Sequence, residues 1–415
     1  MHVLERDFFT DPALLQDPTP WYAALREHGP VWREPHHGVV VLSGIDEIVR
    51  VYADHEHFSA IVGTLGPLVK VPTPEPGESW AEVIERRRSE IPMGEMLTSI
   101  DPPRHTRERA LAGKLFTPNR LEQNEAFMRT LAEALIDEIA DRGEVEFGAA
   151  YARPFTLLVV ADLLGVPRED HKQFRGWLGG DAGNVGDPKG RHGGDRVFAN
   201  LSPYFTRYIE ARRASPRNDV LGQLASVRFP DGELPTVENV VRLASILFAA
   251  GQETTARLIT SGMRMLAERP ALADALQADP GGIPNFVEEC LRLEGPIKST
   301  FRLALEDTRI GGVDVPAGTV VMGSIGAANR DPRVFDDPDR FDAKRRNARR
   351  NIAFGHGEHF CPGASLARAE ARISFERLLA RLGDFRLADP GALSYAATFI
   401  IRGLEGLPLR FRRRA

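Results

Sequence analysis

Apolar residues recur three or four positions apart along much of the chain beyond about residue 120, as in "LEQNEAFMRTLAEALIDEIADRG" (121–143) and "SPYFTRYIEARRAS" (202–215). That period belongs to helices with one buried face. Strand-like runs are short and confined to residues near 31–42, 300–323 and 395–412. The pattern predicts a mainly α fold with small β-sheets. Its helical bulk would start near residue 100, and its β-rich portions would lie near the N-terminus and in the two later runs. One helix stands out. "LASILFAAGQETTARLITSGMRMLAERP" (243–270) continues a segment that can start with Thr236 as N-cap and must stop before Pro270. Roughly 30 residues at 1.5 Å each span about 45 Å, enough to cross a domain. Leu247, Ala250, Gly251, Thr254 and Leu258 share one of its faces. Two stretches rich in glycine, proline and polar residues, 60–103 and 179–194, read as mobile covers or linkers. Neither divides the apolar pattern and no repeat is visible, so residues 1–415 are expected to form a single domain.

Composition narrows the chemistry more than the fold. The 415 residues carry a net charge of -5, with 42% hydrophobic and 27% charged residues. Bulk binding to nucleic acid or to an anionic membrane is therefore disfavoured, and any basic surface must be local. "MHVLERDFFT" has no long apolar run, and the most apolar segment, "LLVVADLLGV", is short and contains Asp162. Neither signal peptide nor membrane span is expected. Two cysteines, Cys290 and Cys361, cannot build a disulfide framework and suit a reducing cytoplasm.

Chemistry concentrates at "FGHGEHFCPG" (354–363). A lone cysteine is most often an inert core thiol. Cys361, however, lies in a loop of glycines and histidines just before Pro362, which suits the start of a helix. A helix N-terminus favours a thiolate, the state of a ligand or a nucleophile. Four roles compete. Zinc could use His356, His359 and Cys361, but the spacings are irregular and no second cluster completes four ligands. A nucleophile could take either histidine as base, yet no hydrolase signature surrounds it. A dinucleotide loop lacks its third glycine, where Phe360 stands. A single thiolate ligand to haem iron needs one sulfur, glycines for close approach and cations for the propionates.

The arrangement Phe354-Gly355-x-Gly357-x-His359-x-Cys361-x-Gly363 resembles the haem-ligand loop of the cytochrome P450 family. That resemblance implies Cys361 as axial ligand to the iron of haem b, with Phe354, Gly355 and Gly363 beside it and His359 on a propionate. "Ala250-Gly251-Gln252-Glu253-Thr254-Thr255" is similar to the family's oxygen-activating helix. A back-bond from the Thr254 hydroxyl to the Ala250 carbonyl would open a groove beside Gly251. By resemblance Ala250 and Gly251 line the haem, Thr254 holds dioxygen and a proton-carrying water, and Glu253 is the acid of the relay. "EECLR" resembles the structural Glu-x-x-Arg motif, giving Glu289 and Arg292. Arg302 matches a propionate-binding arginine, and His105 and Arg109 of "DPPRHTRERA" match two more propionate contacts. The order of these motifs implies the cytochrome P450 fold, a triangular helical prism with haem between the long helix and the helix after the cysteine loop.

The implied activity is haem-thiolate monooxygenation, the hydroxylation of a hydrophobic small molecule with dioxygen and two electrons. No flavin or nicotinamide signature is present, so an iron–sulfur ferredoxin and an NAD(P)H-dependent reductase are expected to supply the electrons to a monomeric enzyme. "AKRRNARR" (343–350) precedes the cysteine loop, and its Arg345, Arg346, Arg349 and Arg350 are the expected dock for an acidic ferredoxin. Leu247, Ile297, Ser299, Thr300, Phe399 and Ile400 match substrate-contact regions, and terpenoid, steroid, fatty acyl and polyketide substrates stay open. Pro362 lacks an N–H, so only Gly363 and Ala364 are left to donate to the sulfur. A peroxide-driven peroxygenase and a non-catalytic haem sensor or carrier are the alternatives.

Overall fold

The computed structural model describes residues 2–178 and 194–414. The 179–194 stretch singled out above lies almost wholly outside the described residues. The long helix runs Val237–Ala267, and Thr236 caps it by accepting the Asn239 N–H. Both ends fall where the cap and Pro270 require. Its two halves enter different cores. Val240 to Phe248 pack with Leu157, Leu164, Leu201 and Phe205, whereas Ala256 to Ala267 pack with Leu366, Phe375 and Phe286. Residues 250–255 between them belong to neither core, and Ala250 is exposed in the middle of the helix.

A second helix, Ala364–Arg381, follows the cysteine loop. It meets the long helix at Gly262, where an added Cβ would come within 2.5 Å of the Phe375 ring. Thr254 and Cys361 both lie N-terminal to that contact on their own segments.

Strand order in the largest sheet is Val31–Arg33, Val40–Leu42, Val320–Gly323, Thr300–Ala304, Phe58–Ser59. Val40–Leu42 is a continuous apolar run, buried throughout, and pairs in parallel with Val320–Gly323, as a strand covered on both faces should. The antiparallel register of Thr300–Ala304 against Val320–Gly323 sets Arg302 opposite Val321. A three-stranded sheet joins Glu144–Glu146, Pro408–Arg413 and Leu382–Leu387.

Four expectations change. The N-terminal portion is not mainly β, since helices Thr19–His28 and Ile45–Ala53 flank its strands. The 395–412 run yields one strand, Pro408–Arg413, preceded by the isolated pairings Ile297 with Ile401 and Tyr395 with Leu404. Leu382–Leu387 is a strand where the sequence reads as more helix. The 60–103 segment is folded onto the body of the protein rather than covering it loosely. Ser79 and Glu82 form a reciprocal cap that starts helix Trp80–Arg87. Buried Arg88 then gathers the returning chain, donating to the carbonyls of Gly94 at 3.0 Å and Ser99 at 2.8 Å.

Candidate active site

The cysteine loop is held by its own backbone. Cys361 N–H donates to the Phe354 carbonyl at 2.9 Å, closing the loop. Gly355 and Gly357 adopt φ of +74° and +69°, the region that side chains rarely enter. Gly357 has a second reason to be glycine, because a Cβ would lie 2.6 Å from the Tyr52 carbonyl. Of the two donors expected at the sulfur, Gly363 N–H does reach it, but Ala364 N–H turns to the Cys361 carbonyl at 3.4 Å. The thiol's ionisation also departs from the dipole argument. Burial pushes it above the usual cysteine range, against the Gly363 bond and the charges of Arg109 and Arg368. Helix Ala364–Arg381 begins three residues beyond Cys361, so its dipole acts weakly there. A bound metal ion would supply the missing force, since a coordinating thiol is deprotonated outright.

Above this loop converge two imidazoles and two guanidiniums. The rings of His105 and His359 lie 4.0 Å apart. Both ring nitrogens of His105 and Nε2 of His359 are buried without a hydrogen-bond partner. Burial first, and the neighbouring Arg109 and Arg302 next, push His105 down to about 4. Burial, Arg302, His105 and Arg109 push His359 down to about 2. Arg302 is buried over the Tyr52 ring at 4.4 Å and donates to the Phe301 carbonyl. Arg109 is half-buried and donates to the Phe360 carbonyl, which ties it to the cysteine loop. Groups this buried are ordinarily bonded. Carboxylates stand only at its margin, Glu358 at 3.7 Å from His105 Nδ1 and Asp101 toward Arg302, so the cluster fits a ligand that brings carboxylates of its own, as haem propionates do.

In the long helix, the Thr254 hydroxyl donates to the Ala250 carbonyl at 2.9 Å, the back-bond expected from the sequence. Gly251 is explained differently: a Cβ there would meet Val160 at 3.1 Å, so its role is close packing against helix Arg153–Leu163. That helix contributes a residue the sequence reading missed. The Thr156 hydroxyl donates across to the Gln252 carbonyl at 2.8 Å, anchoring the long helix within the turn that carries the Thr254 back-bond. A single hydroxyl in the apolar run "PFTLLVV" was the available signal. Glu253 is paired with Arg257 at 2.6 Å and is half-exposed.

Glu289 and Arg292 form a fully buried bidentate pair at 2.7 and 2.8 Å. Arg345 joins them. It is buried, bonds Glu289 at 3.1 Å and donates to the carbonyls of Asp336, Asp337 and Arg340. Its expected place on a docking surface is corrected, because these acceptors consume its guanidinium. Arg346, Arg349 and Arg350 are exposed. Three substrate contacts are corrected as well. Phe399 packs against Phe9 and Phe301 in the core, Ile400 is buried beside them, and the Ser299 hydroxyl is spent on the Phe399 carbonyl at 2.6 Å. The Thr300 hydroxyl is bonded to that of Tyr52. Leu247 and Ile297 are half-buried. His356 is exposed while His359 stacks on His105, so the three-ligand zinc arrangement does not assemble, and no metal-holding group of histidine, cysteine and carboxylate occurs among the described residues.

A mainly helical fold with one cysteine in a glycine-turned loop, a buried cationic cluster tied to that loop and a threonine back-bond in the long helix has the parts of a haem-thiolate protein. The family model for cytochrome P450 matches residues 283–388. The chain is 36% identical over 404 residues to the cytochrome P450 monooxygenase PikC of Streptomyces venezuelae, covering 96% of this chain and 92% of that protein. It is 32% identical over 401 residues to the vitamin D(3) 25-hydroxylase of Pseudonocardia autotrophica, covering 95% and 94%. The substrate-free structure of Mycobacterium marinum CYP150A6 superposes with a TM-score of 0.92 at 45% identity, over 99% of this chain and all of that one. The chain belongs to the cytochrome P450 family and is a haem-iron monooxygenase, an oxidoreductase. No described helix is long and apolar enough to cross a membrane.

Proposed function

We propose that this enzyme uses haem b to hydroxylate a hydrophobic small molecule, with electrons delivered by an acidic iron–sulfur ferredoxin and its NAD(P)H-dependent reductase. The observation that carries the reading is the Thr254 to Ala250 back-bond at 2.9 Å, in the one part of the long helix that joins neither core. When bound, haem supplies dioxygen binding and reductive O–O cleavage, which thiolate ligation favours. Cys361 would hold its iron, while His105, His359, Arg109 and Arg302 would hold its propionates. Thr254 orders a proton-carrying water beside its turn of the helix, and Thr156 keeps that turn in place. Glu253 serves the relay only after leaving Arg257, so proton delivery and rotation of this side chain are linked. Half-buried Leu247 and Ile297 favour an apolar substrate, consistent with a relative named for hydroxylating vitamin D3.

Electron entry is assigned to the face around Phe360, whose ring is 41% exposed one residue before the ligand. Exposed Arg346, Arg349 and Arg350 supply the positive charge on the segment that leads into this loop. The first test is the absorption spectrum of the reduced protein with carbon monoxide, where a strongly red-shifted Soret band is expected from thiolate ligation and its absence would overturn it. Substrate-stimulated NAD(P)H consumption with ferredoxin and reductase then separates monooxygenase from sensor. Product formation on peroxide alone would instead favour a peroxygenase.

A further inference from the structure

A small enclosed void lies between the end of helix Ile283–Glu294, the turn at Asn329 and Arg330, and the segment carrying Arg402, with Ile297 on its wall. Its volume is about 10 Å³, room for a single particle near the size of water. The lining includes Tyr22, Arg292, Lys298, Asn329, Arg330 and Arg402, and no carboxylate. Tyr22 Oη, Asn329 Nδ2 and Arg330 Nε are all buried without a hydrogen-bond partner. The Asn329 amide is oriented by its Oδ1, which accepts the Ile352 N–H at 2.8 Å, so the unpartnered end is the donor. Arg330 Nε has only a longer ion pair with Asp339, at 3.3 Å. Lys298 is 1% exposed, and its ammonium donates to the Leu15 carbonyl at 3.0 Å. Two of its three donors are left over.

Charge around the void is unbalanced in the same sense. Glu289 is shared between Arg292 and Arg345, Glu294 between Arg402 and Arg264, and Asp339 between Arg330 and Arg26. Arg264 also reaches Glu268. Lys298 has no carboxylate partner among the described residues. Burial and the charges of Arg402 and Arg257 push its ammonium down to about 7. Buried cations without a counter-charge are costly. A water in the void could accept from these groups but would also have to donate, and the unpartnered groups are predominantly donors. A monovalent anion only accepts, and it supplies the missing charge.

We propose that this void is a binding site for one halide-sized monovalent anion, chloride or its equivalent, held by Lys298, Asn329, Tyr22 and Arg330. Occupancy ties the helix carrying Glu289 and Arg292 to the Arg402 segment, next to Ile297. The site is independent of the monooxygenase reading. Crystals of the haem-loaded enzyme grown with bromide test it directly: an anomalous peak within bonding distance of Lys298 Nζ is expected, and a water without anomalous signal overturns the proposal. In solution, chloride or bromide should raise the thermal midpoint by about 2 °C over methanesulfonate, a bulkier monovalent anion, at matched ionic strength. Lys298→Met should abolish that difference. Equal midpoints for the wild-type enzyme in all three salts, or an undiminished halide effect in the variant, would also overturn it. If Lys298→Met does not fold, the wild-type comparison and the bromide map decide alone.

Discussion

Two buried polar clusters can be set side by side. In the first, Glu289, Arg292 and Arg345 satisfy one another, and the arginines' remaining donors reach backbone carbonyls at 2.6 to 3.2 Å. In the second, His105 and His359 stack beside Arg109 and Arg302 with three ring nitrogens unbonded. The first closes on itself and serves folding. The second leaves buried ring nitrogens open, which the proposed binding of haem propionates would use. Saturation of hydrogen bonds, rather than burial or charge, separates the two.

The comparison breaks most visibly at the first cluster. Arg292→Leu leaves the Glu289 carboxylate buried beside Arg345 as its one cation and strips the Asn329 and Pro338 carbonyls of their donor. A loss of about 3–5 kcal/mol is expected from removing one member of a buried pair, read by denaturant unfolding of the apoprotein, and an unchanged midpoint would remove the distinction. In the long helix, Thr254→Ala removes the hydroxyl that bonds the Ala250 carbonyl. Product yield per electron pair should fall by about tenfold or more as peroxide release rises, whereas coupling equal to the wild type would refute the assignment. Thr156→Val should uncouple in the same direction but less, with recovery in Thr156→Ser.

His359→Leu probes the second cluster and should act opposite to Arg292→Leu. Removing an unpaired buried polar group leaves apoprotein stability unchanged or raised by about 1 kcal/mol. Haem transfer to a scavenging apoglobin should nonetheless quicken, and a large loss of apoprotein stability would show the cluster to be structural. Glu370 sharpens the rule because it is buried and unbonded yet has no cation beside it. Burial raises its carboxyl well above the ordinary carboxylate value. The folded chain therefore keeps a proton that the unfolded chain releases above that value, and this group's contribution to stability falls as pH rises. Glu370→Gln should flatten that fall, which amounts to at most about 1.4 kcal/mol per pH unit. Identical pH slopes for variant and wild type would contradict a neutral Glu370.

Much of this was legible in the chain. The Thr236 cap and Pro270 bound the long helix because capping and proline chemistry act within a few residues. The Thr254 back-bond follows from a four-residue spacing, and the cysteine loop from glycines that its turns require. The packing reason for Gly251 was not legible, since its missing side chain answers to Val160, 91 positions away in the sequence. Ser299 and Phe399 were misread for the same reason: their mutual bond joins segments 100 residues apart.

The sequence by itself determined which donors exist, where the long helix starts and stops, and which cysteine stands in a ligand's loop. Those properties depend on local backbone preference and on residue identity. Only the tertiary structure decided that Arg345 is an internal brace while Arg346 is on the surface, and that Glu253 is held by Arg257 rather than standing free. Adjacent arginines are alike in composition and period. Their roles diverge because packing brings Glu289 and three carbonyls to one guanidinium and solvent to the other.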